Sequence, residues 1–473
     1  MTKRLPCPPA PGPLEDYAAQ FDPLFTSLAQ RRGFRAYLQG LLLPRDRNKT
    51  LTALAGAEPV VGAQHKAVQG LQWFLSESTW DHQQVNDRRV RLLCEDPATA
   101  PHEQGALVID DTGDRKDGTA TAHVARQYLG SVGKIDNGIV AVTSLWADER
   151  CYWPVHAVPY TPAPRLPGGE RHPGFRTKPQ LAVELVEAAR AAGIGFRAVV
   201  ADCAYGDNPG FTDALVAATI PFVLALKPRK GTWAPAEQAH TPTEAAGELG
   251  WHGPNRPGRW RRVTRRFRDE HTETWWAADA QLGGWGPDRP LRLVVATTDP
   301  ARLPGHSTWH LLTNLPRPAT RRAQQADLAE VVRLYGLRNW VEQGYKQVKG
   351  ELGWADFQVR SDQAIRRHWA LVCCAFSFCW QALLAEHPAQ PAPPDPQAAP
   401  TAARGAKPTG HPGGTGRASV VAGGLAPGAG LVDPLERAAT LLAVVVASAA
   451  AQQLQLLLDA AAAGQPLHLY LPP

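Results

Sequence analysis

The stretch "ALVIDDTGDRKDG", residues 106 to 118, runs an apolar segment into two adjacent carboxylates, Asp110 and Asp111. A second apolar segment, in "FRAVVADCAYGDNPGF", ends the same way in Asp202, with Tyr205 and Gly206 just beyond. A third acid, Glu342, sits among bases and phenols in "LYGLRNWVEQGYKQVKGELGW". Three acids from two strand ends and one helix are what two-metal phosphoryl transfer requires. Each Mg²⁺ takes a few carboxylates plus waters and phosphate oxygens. Two ions about 3.5 to 4 Å apart can then clamp the attacking and leaving oxygens. Neighbouring Arg and Lys side chains would hold an anionic backbone in register.

Other readings of the same residues compete. Asp111-Thr112-Gly113 spells the D-T-G of aspartic proteases, but that dyad shares one proton between two facing acids, normally from two such turns in all-β lobes. The sequence has one such turn, and the pattern after 106 is mixed. Asp110 and Asp111 could be imagined on one metal, yet successive strand residues point to opposite faces. One acid is therefore chemical and the other structural. A lone strand-end Asp such as Asp202 also reads as a helix cap or turn residue. For the third acid, a continuous helix from Tyr335 sets Arg338, Glu342 and Lys349 at roughly 300°, 340° and 320°, one narrow stripe with Tyr335. Beside it, at roughly 200° to 280°, run Leu334, Leu337, Val341, Tyr345, Val348 and Leu352, the packing face. The alternative is a solvated helix edge with Arg338 and Glu342 paired at i, i+4.

The elements that must position these residues follow from the pattern of the chain. Residues 1–100 read as a helical N-terminal region with the outline of a helix-turn-helix, suited to terminal DNA binding, or else an ordinary helical bundle. Residues 101–227 begin with three strands, "ALVID", "GIVAVTSLWA" and "CYWPVHAVPY", expected to be antiparallel, and then alternate helix and strand. That order describes an α/β class, a mixed sheet flanked by helices. The Arg- and Trp-rich stretch at 228–315 reads as a β-rich insertion. Residues 316–386 return to helix and carry Glu342. The Pro, Ala and Gly of 387–432 predict a disordered linker, because such a segment cannot offset its ordering entropy by burial. Residues 433–473 predict a C-terminal helix opened by Asp433-Pro434.

The bulk composition is that of a globular chain of 473 residues, 44% hydrophobic and 20% charged. A net charge of +6 permits a polyanionic partner without demanding one. Seven cysteines without paired C-x2-C spacing argue against a structural zinc site and fit a reduced, cytoplasmic setting. The run "AATLLAVVVASAAA" falls short of the roughly 20 residues of a membrane span. No membrane partner is expected.

The residues above also match a family. Tyr335-x2-Arg338-x3-Glu342-x6-Lys349, with "DDTG", "ARQYLGSVGKIDN", "ADCAYG" and "LLTNLP", resembles the DDE insertion-sequence transposases of bacteria, in particular the group marked by Y-x2-R-x3-E-x6-K. The resemblance covers about 30 to 385 and implies an RNase H-like fold. It assigns the catalytic and metal-binding acids to Asp110, read as D-x-T with Thr112, and to Asp202 and Glu342. It implies two Mg²⁺ ions, for which Mn²⁺ can substitute, and double-stranded DNA as partner, both terminal inverted repeats and target. A homodimer in the synaptic complex is also implied. Tyr335, Arg338 and Lys349 become DNA contacts. Relatives often pass through a terminal hairpin whose flipped base stacks on a Trp of the insertion, which makes Trp275, Trp276 and Trp285 candidates, with filling of the insertion's own core as the alternative for each; the Arg-rich "RWRRVTRRFR" beside them fits phosphate contact. The alternatives of the same fold are an inactive or domesticated DNA-binding protein and a nuclease without strand transfer.

Overall fold

The computed structural model describes residues 5–386, apart from 46, 60–61, 268–270 and 319–325; the expected linker and C-terminal helix lie outside the described residues. Ten strands form one sheet. They are β1 (Ala106–Arg115), β2 (Ala125–Leu129), β3 (Lys134–Ala147), β4 (Tyr152–Tyr160), β5 (Ala198–Ala201), β6 (Phe222–Ala225), β7 (Arg261–Arg266), β8 (Thr272–Ala280), β9 (Arg292–Thr297) and β10 (Thr308–Thr313). The order is β2-β3-β1-β5-β6-β10-β9-β8-β7, with β4 also paired to β3. The expected trio β1, β3 and β4 is antiparallel, and β5 and β6 then run parallel to β1. This central mixed sheet, flanked by helices, is the RNase H-like arrangement.

The strands of 228–315 form no sheet of their own. β10 pairs antiparallel with β6, so β10, β9, β8 and β7 continue the central sheet from its far edge. Their backbone groups find ladder partners there, which removes one exposed edge.

The helices are α1 (Pro13–Ala19), α2 (Leu28–Leu42), α3 (Leu51–Leu54), α4 (Lys66–Ser76), α5 (His82–Glu95), α6 (Lys178–Ala191), α7 (Cys203–Gly206), α8 (Pro209–Ala217), α9 (Pro242–Gly247), α10 (Leu328–Gly336), α11 (Asn339–Gly350) and α12 (Asp362–Glu386). Their starts are written locally. Ser27 with Gln30 and Thr177 with Gln180 form capping boxes at α2 and α6, and Asp327 caps α10. A helix-turn-helix needs a turn of about 3 to 4 residues, whereas residues 55–65 separate α3 from α4. The N-terminal helices instead pack on α12 and share one apolar core with the sheet.

Helix α12 is long and apolar enough to cross a membrane by length and composition, but 78% of its apolar window is buried inside the protein. Its Arg367 is fully buried and donates to the carbonyls of Leu75, Ser78 and Trp80, which ties α12 to the N-terminal helices.

Candidate active site

Strand β1 delivers alternate residues to one face: Asp110, Thr112 and Asp114 are all buried. In the parallel pairing of β1 with β5, Ile109 stands opposite Ala201. Strand β5 ends there, so Asp202 leaves a strand end beside Asp110; Asp110 itself, expected at a strand end, lies in the middle of β1, which continues past it paired to β3. Asp202 serves two ends at once. Its Oδ1 caps α7 by accepting from the Ala204 amide at 2.9 Å, while its Oδ2 faces Arg338 at 3.9 Å.

The other partners come from two helices rather than one. The continuous helix expected from Tyr335 breaks after Gly336, and tight i→i+3 bonds, Arg338 N to Tyr335 O and Val341 N to Arg338 O, turn the chain into α11. Tyr335 thus belongs to α10, Arg338 stands at the position just before α11, and Glu342 and Lys349 ride on α11 itself. Buried Val341 and Val348 seat α11 on the protein, at about 1.5 to 3 kcal/mol each. Trp340 stacks on Tyr152 of β4 at 4.8 Å, and Tyr152 donates to Gln347.

This seating drives the Arg338 guanidinium between all three acids. Nη2 donates to Asp110 Oδ2 at 2.9 Å and lies 3.9 Å from Asp202 Oδ2, while Nη1 donates to Glu342 Oε1 at 2.9 Å. The i, i+4 pair expected of a plain helix edge is present, but it is one arm of a larger cluster. Among the described residues no three acids close on one another as a ready-made metal cage; they close on a cation, the guanidinium. Carboxylates that converge on one cationic group have the chemistry and placement to hold a divalent ion.

Burial pushes the Asp110 carboxyl up to about 7; Arg338 opposes the shift and Asp202 adds to it. A raised carboxyl contributes stability that is fully present below about pH 4 and is lost as pH rises through about 7. Asp110→Asn should therefore flatten the fall in melting temperature between pH 5 and 8 by several degrees, on the order of 4 to 8 °C per kcal/mol removed in a small domain and less in a chain this long. Thermal melts of the two proteins in chelator, across that range, measure the difference.

Asp111 points the other way, as the alternation requires. It pairs with Lys178 of α6 at 3.2 Å and accepts from the Tyr205 hydroxyl at 3.4 Å. Tyr335 is buried beside the acids, and burial pushes its phenol up to about 12. Lys349 does not hang free at the mouth. It donates to Gly113 O at 3.1 Å and pairs with Asp114 Oδ1 at 2.6 Å.

The insertion's tryptophans divide by face. Trp275 is buried at 3% exposure, packs on Trp309 at 4.3 Å and donates to Glu273. Trp276 and Trp285 are only partly buried, and Trp276 meets Trp251 edge-on at 4.8 Å. The tryptophan beside Tyr335 is Trp309 of β10, 4.8 Å away, with the Arg265 guanidinium against it at 4.6 Å. Nothing in the sequence singled out Trp309. Asp114 was also missed, although it repeats the period of two from Asp110 and Thr112 and a longer β1 would have placed it on the same face.

Residues 20–283 match the family described as DDE superfamily endonuclease. That match takes in Asp110 and Asp202 and ends before Glu342. The chain is also 31% identical over 360 residues to the probable transposase for insertion sequence element IS701 of Microchaete diplosiphon, covering 76% of this chain and 85% of the relative. The chain belongs to the DDE superfamily endonucleases, as a DDE-type insertion-sequence transposase. A fainter likeness, at 12% identity and a TM-score of 0.39, links 76% of this chain to 67% of the piggyBac transposase in a synaptic complex with hairpin DNA.

Proposed function

We propose that this chain cuts DNA at the ends of an insertion sequence and joins them to target DNA by two-metal phosphoryl transfer, with Asp110, Asp202 and Glu342 as the metal-binding acids. The convergence of these three carboxylates on one cationic centre is the observation that carries the reading. Two Mg²⁺ ions, or Mn²⁺ in their place, would activate the attacking oxygen and stabilise the leaving one. The chain's own residues supply the rest. Asp110 and Asp202 are held by strand register, and Glu342, with a side chain 60% exposed, closes from the solvent side. Arg338 holds the carboxylates apart and, once it yields part of that position, is placed for a neighbouring phosphate. Lys349 and Tyr335 flank the same cleft. Of the insertion's aromatic residues, Trp276 and Trp285 keep partly exposed rings for an unstacked base, whereas Trp275 is committed to packing. The DNA partner is double-stranded, and a homodimer would pair the two ends.

The test is strand nicking of a labelled terminal-repeat duplex in Mg²⁺. Wild type should nick and then join, and Glu342→Ala should fall by on the order of a thousandfold, several kcal/mol of transition-state stabilisation. Binding without nicking by wild type would make the chain a DNA-binding protein, and nicking without joining a nuclease. Cleavage by Glu342→Ala at the wild-type rate would remove Glu342 from the site.

A further inference from the structure

A fourth acid lies in line with the first. Asp114 leaves the same face of β1 as Asp110, four residues on, about 13 Å along the strand. It is 6% exposed. One oxygen, Oδ1, is bound by the Lys349 ammonium at 2.6 Å. The other, Oδ2, is buried with no hydrogen-bond partner among the described residues; Lys116, two residues on along the chain, has its ammonium committed to the carbonyls of Ala355 and Phe357. A buried carboxylate left half unsatisfied is costly, and packing alone would be served as well by an apolar side chain.

The partner of this acid is fixed from both ends. Lys349 sits seven residues beyond Glu342 on α11, about two turns along the same helix. Arg45 donates to the carbonyl oxygens of Lys349 and Gly350 at the end of α11 and pairs with Asp356. The Lys349 side chain spends two of its three donors on Gly113 O and Asp114. One donor remains. The helix α11 is thus tied to β1 by two charged rungs, Arg338 on Asp110 and Lys349 on Asp114.

We propose that Asp114 is a positioning residue. It pins the Lys349 ammonium as a fixed cation about two helical turns along α11 from Glu342, so that its remaining donor meets a phosphate of the DNA next to the one held at the three acids, already in register for cleavage. The inference rests on the proposed function and deepens it. A lysine on a flexible stem would otherwise bind phosphate as a mobile point charge, with the ordering paid at each turnover.

The test separates rate from binding. Removing the Asp114 charge makes the cleft more positive, so electrostatics alone would tighten DNA binding. A positioning role makes the opposite demand on the chemistry. Asp114→Asn should nick about tenfold more slowly in single turnover at saturating terminal-repeat DNA, with Kd unchanged or lower, and Asp114→Glu should recover part of the rate. Lys349→Ala added to Asp114→Asn should cost less than Lys349→Ala alone, because the two act as one unit. A wild-type rate in Asp114→Asn, or rate losses that simply multiply, would overturn the proposal. So would a variant as dead as Asp110→Asn that also loses Mn²⁺ binding, since Asp114 would then be a metal ligand. Should Asp114→Asn fail to fold, Asp114→Glu alone carries the test, with slower nicking at unchanged Kd expected and wild-type nicking overturning it. Absence of nicking by the wild-type protein removes the proposed function and this inference with it; the other adverse outcomes remove the inference only.

Discussion

Asp110→Asn should abolish strand nicking, by on the order of a thousandfold or more, while Asp111→Asn leaves a readily measurable rate. The two carboxylates are neighbours in sequence and differ by one amide substitution each, yet the strand sends them to opposite faces. Asp110 accepts from Arg338 and stands beside Asp202. Asp111 pairs with Lys178, and both side chains keep about a quarter of their surface exposed. A partly solvated pair of this kind is worth about 1 kcal/mol or less, so Asp111→Asn should lower the melting temperature slightly and spare the chemistry. Single-turnover nicking of terminal-repeat DNA, run beside chemical denaturation of each variant, distinguishes the two. A dead Asp111→Asn with a normal Asp110→Asn would move the site by one residue and undo the register of β1.

Arg338→Gln should be damaging in two measurable ways. The guanidinium is the shared counter-cation of Asp110, Asp202 and Glu342. Its removal leaves Asp110, in the middle of β1, facing Asp202 at the end of β5, and breaking one side of a buried pair costs about 3 to 5 kcal/mol. The arm to Glu342, whose side chain is 60% exposed, adds little to that. Equilibrium denaturation in chelator should therefore show a loss of a few kcal/mol. Nicking should fall as well, by about a hundredfold or more, as expected when a fixed cationic donor is lost from a phosphoryl-transfer site. Arg338→Lys should recover only part of either quantity, because one ammonium cannot span Nη1 on Glu342 and Nη2 on Asp110 together. Mn²⁺ supplies the diagnostic. A divalent cation among the same carboxylates should raise the melting temperature of Arg338→Gln by more than that of wild type. Equal Mn²⁺ shifts in both proteins would mean that the ion does not share the guanidinium's place.

The site was legible wherever the chemistry of a residue followed from its place in a local period. Asp110 and Asp202 were marked by the apolar runs that precede them, and the facing of Asp110 against Asp111 followed from the two-residue repeat of a strand. The expected stripe on one helix was drawn through a break. Tyr335 and Arg338 still reach the same cleft because a tight turn at 337–338 replaces the helix there without reversing the chain. Trp275 and Trp276 looked alike in sequence, and alternation along β8 gives one to the core and leaves the other half-open.

By itself the sequence determined which residue types were available and that a mixed α/β sheet would carry them. Apolar periodicity and capping residues are short-range signals, readable within a few turns or strand positions. Only the tertiary structure decided that β1 and β5 pair in the register that sets Asp110 beside Asp202. It also decided that the strands of 228–315 extend the same sheet, that Arg338 reaches all three acids, and that Lys349 is pinned by Asp114. Those contacts join residues far apart along the chain, and their partners are chosen by strand pairing and by the packing of α11, not by any pattern local to either residue.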